Sequence, residues 1–185
     1  VDGATGSQGG ETDTGLNYNP STGALTAVSF LGSGANLTDV GFDPDAQQNL
    51  YAGTGAGAAS DADTCFNIAL GCNAGNALNS GDRNVFLGCA AGKLATSATD
   101  NVLLGSCAGG GGTVTGSNNI ALGCQAGMCL TSGTNNVFLG KCAGNGASGG
   151  ITGSNNNTIG LKSGECLTSG AYNNFFGYYA GKSTA

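Results

Sequence analysis

The most reactive side chains in this sequence are cysteine thiols, and no histidine is present to act with them. A zinc site typically needs thiolate and imidazole ligands at short spacings such as Cys-x-x-Cys, and no such pair occurs. A catalytic thiol needs a neighbouring base, which histidine most often supplies. The thiols are therefore predicted to be free side chains packed in a narrow core, with disulfides as the alternative. They are Cys65, Cys72, Cys89, Cys107, Cys124, Cys129, Cys142 and Cys166.

Carboxylates are the second set of chemically capable side chains. Asp43, Asp45, Asp61, Asp63 and Asp82 all fall in predicted loops. A glycosidase needs two carboxyl groups that face each other across a cleft, and these loops are too short to build one. We therefore interpret the acids as solvated loop residues, with a calcium site at Asp61 and Asp63 as a weaker alternative. No catalytic residue, metal or cofactor is predicted.

A repeated motif determines where all these side chains lie. It reads Asn, three residues, Gly, two residues, Ala or Ser, Gly, and it recurs eight times at intervals of 17 to 20 residues. Such a period is typical of proteins built by stacking one structural unit on the next. The motif begins at Asn49, Asn67, Asn84, Asn101, Asn119, Asn136, Asn156 and Asn173, and its first glycines are Gly53, Gly71, Gly88, Gly105, Gly123, Gly140, Gly160 and Gly177.

Each repeat has the composition of one coil of a β-solenoid. The three residues after most of the asparagines are apolar and often β-branched, which predicts a short strand. A second short strand is expected after the second glycine, for example over residues 77–79 and 129–131, followed by a Ser-Gly turn. We predict an all-β fold, a β-solenoid (β-roll) of about eight coils of 17–18 residues. The asparagines would form a ladder of amides, and the first glycines would occupy corners with positive φ.

The sequence divides into three segments. Residues 1–15 are rich in Gly, Asp, Thr and Ser and are predicted to be an extended linker. Residues 16–48 form a shaft-like β segment and connector, in which 16–18 and 24–30 are the strands of a hairpin. Residues 49–185 are the β-roll repeats. Because the chain begins at Val1 and no capping element follows Ala185, we expect it to be part of a longer protein.

Strand alternation predicts one face inside the coil and one face outside. We expect the first and third residues after each asparagine, such as Val85 and Leu87, to line the core. The middle residues would then point outward as an apolar stripe for self-association, represented by Phe86, Leu103, Phe138 and Phe175. Cys72 and Cys89 occupy the same position in consecutive coils, about 4.8 Å apart, and are the predicted pair if a disulfide forms.

Composition excludes several classes of partner. Only 9% of the residues are charged, the net charge is −6, and Lys and Arg together number five. These values provide no basic patch for nucleic acid, so none is expected as a partner. No apolar run approaches the ~20 residues that a membrane-spanning helix needs, and membrane insertion is not expected.

The repeats resemble those of two families of fibrous proteins. Residues 118–123, Asn-Asn-Ile-Ala-Leu-Gly, resemble the repeat of trimeric autotransporter adhesin heads, which are β-rolls wound as trimers. The longer motif resembles repeats of bacteriophage tail fibres and tailspikes, and residues 16–38 are similar to fibre shaft segments of marine phages. The resemblance implies a homotrimeric structural fibre in the virion, which binds other tail proteins and a glycan or protein receptor on the host surface. A bacterial surface adhesin or extracellular filament is the alternative, and a polysaccharide-cleaving tailspike is a further one.

Overall fold

A computed structural model describes residues 16–19, 24–27, 44–147 and 149–182. The chain divides into two units, Val1–Gly41 and Phe42–Ala185. In the first unit, strand β1 (Leu16–Asn19) pairs antiparallel with β2 (Ala24–Ala27), as the sequence predicts. The predicted linker over residues 1–15 lies outside the described residues.

The second unit is a β-solenoid, which confirms the predicted fold class. Each repeat contributes one strand, and each strand pairs in parallel with the strand of the next repeat, in sequence order. The eight strands form one sheet and follow about seven turns of the chain, and the described residues contain no helix. The strands are β3 (Leu50–Ala52), β4 (Ile68–Leu70), β5 (Val85–Leu87), β6 (Val102–Leu104), β7 (Ile120–Leu122), β8 (Val137–Leu139), β9 (Asn157–Ile159) and β10 (Asn174–Phe176).

The second strand expected in each coil is absent from the described residues. Residues 77–79 form no strand, and 129–131 contain only an isolated bridge between Leu130 and Ile151. The expectation was wrong because the chain turns continuously after the second glycine. Neighbouring coils still bond there one group at a time; the N–H of Ala77, for example, donates to the carbonyl of Lys93 at 3.1 Å.

A ladder of buried asparagine amides runs through the coils, as the repeat predicts. The backbone N–H and Nδ2 of Asn84 both donate to Oδ1 of Asn67, at 2.9 and 3.0 Å. Nδ2 of Asn84 also donates to the carbonyl of Ala98 at 2.7 Å, across the coil interior. Asp45 takes the place of a preceding asparagine at the start of the ladder, since its carboxylate accepts from the N–H and Nδ2 of Asn49. The same bonds from one asparagine to the next continue through Asn101, Asn119, Asn136, Asn156 and Asn173.

The first glycine of each repeat is at the corner that follows the strand, with φ near +130°. At Gly71, an added Cβ would lie 2.7 Å from the backbone of Gly88 in the next coil, so stacking excludes any side chain there. The same backbone conformation and close approach to the next coil recur at Gly88, Gly105, Gly123 and Gly140.

The inward and outward faces of the sheet are the reverse of those predicted. Phe86, Leu103 and Phe138 are fully buried, and Phe175 is partly buried against the core, so these middle residues point inward rather than outward. The first and third residues of the strands, predicted to line the core, form the outer face. The second glycine of the motif explains this choice. A Cβ on Gly75 would lie 2.9 Å from the ring of Phe86, so the missing side chain provides the space that the ring occupies.

Candidate assembly surface

The outer face of the eight-stranded sheet is an apolar surface made of two columns of side chains. Ile120 and Leu139 are each 40% exposed, and most of the other members are half-buried by their neighbours in the stack. Neither column contains a charged residue. The first column is Leu50, Ile68, Val85, Val102, Ile120, Val137, Asn157 and Asn174, and the second is Ala52, Leu70, Leu87, Leu104, Leu122, Leu139, Ile159 and Phe176.

The geometry of a parallel sheet makes this outer face continuous. Two residues along a strand separate the columns by ~6.6 Å, and eight strands at ~4.8 Å spacing extend ~34 Å along the stack. The register is unbroken, with Val85 opposite Val102 and Ile120 opposite Val137. A contiguous apolar surface of this kind, without polar side chains from β3 to β8, is typical of an interface with another protein.

Five of the eight cysteines lie on what we call the corner ridge, the two residues that follow the first glycine of each repeat. Cys72, Cys89 and Cys124 occupy the first ridge position, and Cys107 and Cys142 occupy the second. All eight cysteines are free thiols, but the prediction that they pack the core was wrong. Only Cys142 is buried, because the corner turns outward whereas the core is filled from the strand and from the alanine after the ridge. The other three are Cys65, which is half-buried; Cys129, also half-buried; and Cys166, which is exposed.

The predicted disulfide pair is not bonded in this structure. Cys72 and Cys89 are both exposed free thiols at the first ridge position of consecutive coils. Their pairing under oxidising conditions stays a prediction.

The carboxylates of the described loops accept hydrogen bonds from backbone N–H groups, from nearby polar side chains and from one arginine. Asp82 Oδ1 accepts from the N–H of Cys65 at 2.8 Å, and Asp61 Oδ1 accepts from the N–H of Asp63 at 3.0 Å. Arg83 makes two hydrogen bonds to Asp100, which lower the pKa of that carboxyl group. The described residues contain no group of three or more Cys, Asp or Glu side chains placed to hold a metal ion.

A cluster of aromatic and charged side chains on the last two coils was not predicted from the sequence. Lys162 Nζ lies 3.0 Å from Glu165 Oε1, and this hydrogen bond raises the pKa of Lys162. The ammonium groups of Lys162 and Lys182 lie 5.3 and 4.3 Å from the centre of the Tyr179 ring. The sequence did contain a signal for this cluster. Lys162 and Tyr179 both occupy the second ridge position, one coil apart, which places them next to each other in the stack. The cluster joins neighbouring coils through cation–π contacts.

Comparison with known protein families, with curated proteins and with solved structures finds no match to this chain. Within the part of the chain that the structure describes, no helix is long and apolar enough to cross a membrane.

Proposed function

We propose that this chain is a structural fibre protein, a segment of a bacteriophage tail fibre that serves in attachment to the host. In this proposal the solenoids associate as a homotrimer, and the fibre is bound to other tail proteins in the virion. It binds a glycan or protein receptor on the cell surface. The chain acts by its shape and its surfaces, without catalysis.

The outer face of the sheet is the observation that carries this proposal. An apolar surface that extends over the six strands from β3 to β8 and contains no charge is suited to pack against an equal surface on another copy. Three copies with their sheets directed at one axis would cover all three surfaces with closed symmetry. The resemblance of the repeats to trimeric β-rolls is the reason for choosing three. The sequence analysis proposed an interface at the middle residues of the strands. Because Phe86, Leu103 and Phe138 are fully buried, we propose the flanking columns instead.

The principal alternative is a bacterial surface adhesin or an extracellular filament, because the same solenoid could serve there. The genes on either side of the coding sequence distinguish the two. Tail genes would support the phage fibre, whereas a membrane anchor of the autotransporter type in the same reading frame would overturn it in favour of the adhesin. A tailspike that cleaves polysaccharide is a weaker candidate, because the carboxylates described above already bond to backbone groups, to Asn49 and to Arg83.

Charge introduced on the outer face tests the assembly. We expect the purified protein to have the mass of a trimer by light scattering, and we expect Ile120→Asp and Leu139→Asp to dissociate it. The matched control is Leu94→Asp, since Leu94 is 39% exposed but lies outside the sheet. This variant should keep the mass of the wild type. A monomeric wild type, or a trimer that tolerates both sheet variants, would overturn the proposed assembly.

A further inference from the structure

The thiols of the corner ridge follow a regular order along the stack. Five successive coils each carry one ridge cysteine, and two pairs of them are related by a shift of two coils. Cys89 is at the first ridge position and Cys107 is at the second position of the next coil. Cys124 and Cys142 repeat this arrangement.

Backbone hydrogen bonds join the two members of each pair directly. The N–H of Cys107 donates to the carbonyl of Cys89 at 2.9 Å, and the N–H of Cys142 donates to that of Cys124 at 3.0 Å. The carbonyl of Cys72 instead accepts from the N–H of Ala90. Cys72, the remaining ridge thiol, therefore has no cysteine bonded to it in the next coil. Residues bonded in this way across coils stacked at ~4.8 Å fall within the ~4.4–6.8 Å range of Cα separations that disulfides span.

The geometry of Cys72 and Cys89 is less favourable for a disulfide than that of the two staggered pairs. Both occupy the first ridge position, so their Cα–Cβ bonds are nearly parallel and their Cβ atoms are separated by the full coil spacing of ~4.8 Å. Disulfides need Cβ atoms ~3.5–4.5 Å apart, which an in-register pair does not reach without a shift of the backbone.

The two thiols of each pair also differ in exposure. Cys89 and Cys124 are exposed, whereas Cys107 is half-buried and Cys142 is 6% exposed. The Sγ of Cys142 donates a hydrogen bond to Oε1 of Gln125 at 3.4 Å, which holds it beside the preceding coil. An exposed thiol can react with a reagent from solution, and its sheltered neighbour can then displace that reagent.

We propose that Cys89 with Cys107, and Cys124 with Cys142, are two dithiol sites that react with small disulfides of the glutathione type. The exposed thiolate attacks the small disulfide, which forms a mixed disulfide and releases one small thiolate. The sheltered thiolate then attacks the protein sulfur of the mixed disulfide, which forms the disulfide between coils and releases the second small thiolate. Two electrons pass to the reagent, and the two protons lost by the cysteines protonate the released thiolates.

The test counts glutathione groups on the intact folded protein. The reduced chain is incubated with oxidised glutathione, unreacted thiols are blocked by alkylation, and the protein is weighed by mass spectrometry. Cys107→Ser should gain one glutathione relative to the wild type, because Cys89 then keeps its mixed disulfide. Cys142→Ser should gain one at Cys124 for the same reason. The second ridge position has the same positive φ whether it holds Ala90, Cys107 or Gln125, so it accepts different side chains, and serine is close in size to cysteine.

Cys72→Ser distinguishes the two pairings that the ridge could adopt. With the proposed pairs, Cys72 has no partner, so this variant should lose the one glutathione that Cys72 carried. If Cys72 paired with Cys89, the same variant would gain one at Cys89, and that result would overturn the proposal. The proposal also fails if neither Cys107→Ser nor Cys142→Ser gains a glutathione, or if the disulfides join separate chains. An upward shift of the thermal midpoint after oxidation, reversed by dithiothreitol, is expected for the wild type and for Cys72→Ser. Cys107→Ser and Cys142→Ser each keep one pair and should show a smaller shift.

Discussion

Each interior asparagine links its own coil to both neighbouring coils. Its Oδ1 accepts from two groups of the next asparagine, and its Nδ2 donates to the preceding Oδ1 and to a carbonyl across the coil, as at Asn84. An aspartate would accept the same bonds but would have no group to donate and would carry a buried charge. An amide is thus the side chain whose donor and acceptor groups both find partners in this ladder.

Removal of one amide from the middle of the ladder should destabilise the whole fold. Asn101→Ala leaves the N–H of Asn119 and the carbonyl of Gly116 without their partner, in a fully buried place. Buried polar groups without a partner cost ~1–3 kcal/mol each, so we expect a loss of ~2–5 kcal/mol in the free energy of unfolding, measured in urea. Asn79→Ala, at an exposed turn position, is the control and should change it by less than ~0.5 kcal/mol. An equal effect of the two substitutions would contradict the role assigned to the ladder.

The sequence identified those positions where the backbone itself demands a residue type. The asparagines, the corner glycines and the period were predictable because amide bonding and a crowded corner with positive φ each restrict the choice of side chain. The positive φ of Arg83 (55°) and Cys107 (57°) was not predictable, because hydrogen bonds between coils, rather than residue preference, hold those residues in that conformation. The exposure of the thiols was missed for a related reason, since a small side chain fits either side of a corner.

At the scale of the strand, the sequence left the direction of the faces open. All three residues of β5, β6 and β8 are apolar, and a shift of one residue exchanges the inner and outer faces. The side-chain volumes of the middle residues indicate which face points inward. Ala69 stacks beside Phe86 and Ala121 beside Phe138, so each of these buried rings has a small neighbour in the middle column, as packing in a closed interior requires.

Truncation of an inward ring tests the assignment of the faces. Phe86→Ala removes a fully buried ring that packs against Gly75 and Gly92, and a backbone held by the ladder has little freedom to collapse into the cavity. We expect a loss of ~3–5 kcal/mol in the free energy of unfolding. Leu94→Ala is the control, because Leu94 is a partly exposed apolar residue outside the sheet, and it should cost less than ~1 kcal/mol. If Leu94→Ala proved as costly as Phe86→Ala, the inward assignment of the middle column would be wrong.

At the scale of the molecule, hydrogen bonds between stacked coils pair the backbone groups of the solenoid. The apolar outer face of the sheet is left without a partner within the described chain. Each coil bonds to the coil before it and the coil after it, so stability is built up by contacts between neighbours. The surface columns supply apolar area but no charge, and the whole chain has only 16 formally charged side chains, five basic and eleven acidic. Association of the solenoids should therefore depend on apolar burial, with electrostatics opposing it through the net charge of −6 on each chain.

This balance predicts how the stability of the assembly depends on concentration and on salt. If folding is linked to association of three chains, the thermal midpoint of the wild type should rise with protein concentration by mass action. Added salt should leave that midpoint unchanged or raise it, because screening over ~8 Å at physiological ionic strength reduces repulsion between acidic chains. Ile120→Asp should lower the midpoint and remove its dependence on concentration, whereas Leu94→Asp should retain that dependence. Calorimetry across a hundredfold range of concentration would measure both effects. A midpoint that stays constant over this range would contradict the linkage of folding to association, and one that falls with salt would indicate ion pairs, rather than the apolar columns, at the interface.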